Sequence, residues 1–97
     1  MNQTVEFFKT QIGKIIDQSP SPVGNWLQAV LIEVEEGSIT ADVKVRKEMT
    51  NPVRTLHGGM IAAIADEMIG ATIATLELPH VYVSVNLHTD FLFPVKE

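Results

Sequence analysis

Hydrophobic and polar positions change rhythm along this chain, and each rhythm predicts an element. Val5, Phe8, Ile12, Ile15 and Ile16 recur at helical spacing, with Phe7 beside them, which predicts an amphipathic helix over residues 2–17. The stretch "SPSP" at 19–22 is expected to end it, because proline lacks an amide proton and restricts the residue before it. Leu27, Ala29, Leu31 and Val34 then mix with polar residues up to Glu35-Glu36-Gly37. Beyond that break, Ile39, Ala41, Val43 and Val45 alternate strictly with Thr40, Asp42, Lys44 and Arg46. Alternation of period two marks a strand with one wet face, so the two runs predict an antiparallel hairpin.

The second half repeats the contrast. "NPVRTLHGG" reads as a loop leading into a helix from about Gly58 to Leu76, apolar on nearly every face and closed by Pro79. Such a helix is expected to be buried on most sides. Val81, Val83, Val85 and Leu87 alternate with Tyr82, Ser84, Asn86 and His88, which predicts a further half-exposed strand. Phe91 and Phe93 continue the apolar pattern, and Pro94 ends it or marks an edge. The economical packing is α+β: one antiparallel sheet wrapped around one long central helix, in a single domain over residues 1–97.

Composition narrows the role. A chain of 97 residues is a small domain, and oligomerisation is a common remedy for its limited core. There is no cysteine, hence no disulfide, zinc-thiolate site or cysteine nucleophile. The net charge is −5 and the seven Lys and Arg are scattered, which argues against a nucleic-acid face. The opening "MNQTVEFFKTQIGK" has no basic start followed by an apolar core, so a secretory signal is not expected. The apolar stretch interrupted by Asp66-Glu67 is too polar to span a bilayer. The expected setting is cytoplasmic, without membrane or nucleic-acid partners. His80 and His88 have no companions at ligand spacing, so no metal site and no cofactor are expected.

Chemistry concentrates around the long helix. A carboxylate in an apolar helix is costly unless solvated, paired or used. Periodicity leaves Asp66 and Glu67 as one wet edge or as a functional pair, since neighbours on a helix lie about 100° apart. Gly58 and Gly59 either start the helix or leave first-turn N–H groups open to a developing negative charge. His57 either bonds nearby backbone or assists a substrate. Asn51 either makes the turn before Pro52 or orients a carbonyl or water. Ser84 either faces solvent or supports an attacking group.

"NPVRTLHGG", "HGGMIAAIAD" and "VSVNLHTDFLFPV" together resemble the hotdog-fold acyl-CoA thioesterases, in particular the phenylacetate-degradation type. In that family an asparagine-bearing loop ending in His-Gly-Gly opens the central helix, and a carboxylate follows nine residues after the histidine, as Asp66 follows His57. The resemblance covers essentially the whole chain and implies a hotdog fold that is short at the C-terminus, since family members continue into further antiparallel strands. It implies hydrolysis of an acyl- or aroyl-CoA to free acid and coenzyme A. Asp66 would be nucleophile or general base and the Gly58 N–H the oxyanion donor, with His57, Asn51 and Ser84 assisting. Gly59, Met60 and Glu67 would lie along the substrate, with Glu67 at the rim. It further implies a homodimer or homotetramer, with Gly58 of one subunit facing Asp66 of another. The alternative is a non-catalytic acyl-CoA-binding or truncated hotdog protein. A hotdog hydratase would pair its histidine with an acidic residue in a motif that this chain lacks.

Overall fold

The computed structural model describes residues 2–97. Helix α1 spans Gln3–Thr10, α2 Pro22–Leu27, strand β1 Val30–Glu35, β2 Ser38–Asp42 and helix α3 Gly58–Ala74, with a 3-10 turn at Lys47–Met49 before α3. The Asn2 side chain caps α1 by accepting the Val5 N–H at 3.0 Å.

α1 is shorter than its hydrophobic spacing predicts. It stops at Thr10 rather than running to residue 17, and Gly13 turns the chain with φ +83°. The Gly13 N–H then bonds Leu31 O at 2.9 Å, the Ile16 N–H bonds Ala29 O at 2.8 Å, and Ile15 bridges Val30. Two β-branched isoleucines thus trade helix for an extended path along β1, where branched side chains fit well. α2 was not expected. Ser21 and Pro22, read as a terminator, instead start a helix: the Ser21 Oγ accepts the Gly24 N–H at 3.2 Å, and Pro22 at the helix start has no amide proton to lose.

The predicted hairpin is present, although its second strand ends at Asp42 rather than running on to Arg46. β1 and β2 are antiparallel around Glu36-Gly37, and Gly37 adopts φ +79°. The register slips between Leu31 and Glu33, so that Leu31 and Val34, three positions apart, are both buried while Ile32 between them is not. Leu31, Val34 and Val5 form the core, with Phe8, Ile39 and Ala41 packed against it. Thr75, fully buried, ties three elements together. Its Oγ1 accepts the Gly37 N–H at 2.8 Å and donates to Thr72 O at 2.6 Å, while its carbonyl accepts from Asn2 Nδ2 at 2.6 Å.

Two expectations need correction. α3 is not buried on most sides, for none of its residues is fully buried in the single chain. A two-stranded sheet covers only part of a helix this long and this apolar. Nor do residues 81–87 form a strand with one dry face: Val81, Val83 and Val85 are 94%, 82% and 97% exposed. Alternation equips a segment for a sheet, but a strand needs neighbouring backbone to bond, and none lies beside this one among the described residues. The segment is fastened further on, where the Leu56 N–H bonds Val95 O at 2.6 Å and Thr55 bridges Lys96.

Candidate active site

The loop before α3 is closed by Asn51. Its Oδ1 accepts the N–H groups of Val53 and Thr55 at 3.1 and 3.0 Å, and its Nδ2 donates to Thr55 Oγ1 at 2.8 Å. The Asn51 N–H bonds Thr55 O at 2.9 Å, and Arg54 accommodates the turn with φ +64°. This is the local side-chain to backbone bonding at which asparagine excels. The amide therefore faces the loop that it closes. The His57 N–H then bonds Met49 O at 2.8 Å, anchoring the end of the loop on the fully buried Met49.

His57 caps α3. Its Nδ1 accepts the Gly59 N–H at 2.8 Å, which in the neutral ring leaves the proton on Nε2. Its carbonyl accepts from Met60 at 2.9 Å and Ile61 at 3.1 Å. Of the first-turn donors, Gly58 alone has no acceptor among the described residues. Both glycines have steric reasons. A Cβ on Gly59 would come within 3.1 Å of the His57 Nδ1, and one on Gly58 within 3.3 Å of the Phe91 ring. The Gly58 backbone lines a pocket of about 260 Å³, walled by Asn51, Leu56, Ile61, Phe91 and Phe93. Met60, in the same turn of α3, is half-buried.

The two carboxylates part company. The Glu67 Oε1 accepts from the Ser21 Oγ at 2.8 Å, so this side chain faces the start of α2. It also explains Gly24, where a Cβ would lie 2.9 Å from the Glu67 Oε2. Asp66 is exposed on another face and accepts a hydrogen bond from the Ser84 hydroxyl. Asn51 and Gly58 thus share one pocket, and Asp66 and Ser84 share another place, about 12 Å along the helix by its rise per residue. Sequence reading overlooked Phe91, taken as the continuation of a strand. The signal available was an aromatic pair just ahead of Pro94.

An open N–H at a helix start, beside a pocket and on the same helix as a solvent-facing carboxylate, suits attack on a polarised carbonyl. Comparison with known proteins shows what the chain is similar to. The model of the thioesterase superfamily matches residues 54–97. The fold is the hotdog fold, and the family match covers less than half of the chain. The hotdog architecture is shared with a thioesterase-superfamily protein solved by X-ray crystallography, at a TM-score of 0.69 over 97% of this chain and 67% of that one. At 23% identity that likeness establishes the fold alone. Human acyl-coenzyme A thioesterase 13 and its Pongo abelii counterpart are each 30% identical over 66 residues, 68% of this hotdog chain. The chain spans about half the length of these curated relatives, 47% of each being matched. Among the described residues no helix is long and apolar enough to cross a membrane, and no cluster of His, Asp or Glu could hold a metal ion.

Proposed function

We infer that the chain works as an acyl-CoA thioesterase, in a site built from two copies. The observation that carries this reading is the Gly58 N–H, left without an acceptor at the mouth of α3 beside a pocket. A thioester carbonyl turns into an oxyanion when attacked, and an N–H at a helix N-terminus, backed by the helix dipole, lowers the energy of that charge. Asp66 supplies the other half. Its carboxylate either attacks the carbonyl carbon and expels the coenzyme A thiolate, leaving an anhydride for water to cleave, or takes a proton from an attacking water. In either case the Ser84 hydroxyl steadies the carboxylate. A single helix cannot bring Gly58 and Asp66 to one carbonyl across about 12 Å, whereas a two-fold pairing of α3 helices places each opposite the other's counterpart. The similarity to acyl-coenzyme A thioesterase 13 supports the substrate class.

The test is thiol release from a panel of acyl-CoAs, comparing the folded protein with Asp66→Asn. Turnover by the parent and its loss by at least about a hundredfold in the variant is the expected result. Equal turnover in both would remove Asp66 from the chemistry.

A further inference from the structure

Phe91 lies outside the main core of Val5, Leu31 and Val34, and it is 60% exposed. Yet its ring is held close to one backbone position: Cζ and Cε1 lie 3.3 and 3.4 Å from where a Gly58 Cβ would be. Phe91 and Phe93 line the same pocket as Gly58, although alternation along a regular strand would show both to one face and Leu92 to the other; here Leu92 lines it too. The irregular path follows from the fastening of the segment just beyond, at Val95 and Lys96, on the loop that Asn51 closes.

We propose that Phe91 is a specificity-determining residue, the wall that limits the size of the acyl group held beside the Gly58 N–H. This rests on the thioesterase reading above. A carbonyl oxygen directed at Gly58 brings its acyl group into the space bounded by Leu56, Ile61, Phe91 and Phe93. That space is about 260 Å³. The pocket is open to solvent, with room beside Gly58 for a short chain or a small ring, while the far end of a long chain runs on outside it. Phe91 flanks it beside Gly58, where the reacting carbonyl would sit. Its exposed apolar face also offers this end of the acyl group a surface to cover, so that each additional apolar contact counts.

The experiment compares the parent with Phe91→Ala and Phe91→Trp on butanoyl-, hexanoyl- and dodecanoyl-CoA. In parallel, calorimetry measures binding of the uncleavable S-butyl and S-dodecyl thioethers of coenzyme A. Removing the wall is expected to raise the dodecanoyl-to-butanoyl ratio of kcat/KM by about tenfold or more, and the tryptophan to lower it, because fit in an apolar pocket discriminates on that scale. The thioether affinities are expected to shift in the same direction. A merely structural Phe91 would scale every substrate alike, so ratios within about twofold of the parent in turnover and binding would overturn the proposal. With the parent active, that result leaves the thioesterase reading standing. A parent that turns over no substrate but whose thioether ratio responds to both variants supports the wall and overturns hydrolysis. A folded parent that neither turns over nor binds any probe overturns both.

Discussion

His57 bonds the helix that it precedes. With Nδ1 occupied by the Gly59 N–H, the ring's remaining polar atom is Nε2, a donor in the neutral form. The capping role separates cleanly from a chemical one. His57→Ala removes the cap and is expected to lower stability by about 1 kcal/mol, read from urea denaturation. His57→Asn keeps a side-chain acceptor at the cap and is expected to recover most of that stability. If capping is the whole role, kcat recovers with it. A kcat that stays low in a protein of restored stability would assign the Nε2–H to the substrate. The same local reasoning made Asn51 legible in part: an asparagine ahead of a proline invites a turn, and the bonds to Val53 and Thr55 are what such a turn requires. Phe91 was not legible, because alternation records that a residue is apolar but not that its chain has left the sheet.

At the scale of elements, the hairpin and α3 could be read because each has a strong period and a clear break. β1 and β2 meet around Gly37, and α3 begins at Gly58 as its His-Gly-Gly opening implies. α1 was overextended because Ile12, Ile15 and Ile16 keep a helical spacing that tertiary bonds to Ala29 and Leu31 override. α2 escaped because its start carries two prolines, which end helices as readily as they begin them. Beside the apolar core, polar bonds at Thr75 tie the start of α1, the hairpin turn and the end of α3 together. Thr75→Val preserves the shape but leaves the buried end of the Gly37 N–H bond empty. A loss of about 1–3 kcal/mol is expected, with faster hydrogen exchange at Gly37. Thr75→Ser retains the hydroxyl and is expected to restore slow exchange. Failure of the serine variant to do so would show that the methyl group is needed together with the hydroxyl.

For the whole molecule, the exposed apolar surface is the dominant fact. α3 is largely apolar yet has no fully buried residue, and Val81, Val83 and Val85 project into solvent from a segment patterned for a sheet. Exposed apolar residues of this kind are what the proposed two-fold pairing would cover on both copies. If each active site takes Gly58 from one copy and Asp66 from the other, two inactive variants complement each other. A Gly58→Pro chain lacks the donor N–H at a helix position that tolerates proline but retains Asp66, an Asp66→Asn chain retains the Gly58 N–H, and a mixed dimer contains one site with both intact. Random mixing makes about half the dimers mixed, each with one working site of two, so activity is expected to return to about a quarter of the parent level. The mixture is prepared by unfolding both variants together and refolding, and thiol release is compared with each variant refolded alone. Sites contained within single chains cannot be rebuilt by mixing, so activity no greater than the average of the two variants would reject the shared site. It would leave Asp66 and Gly58 to be tested separately.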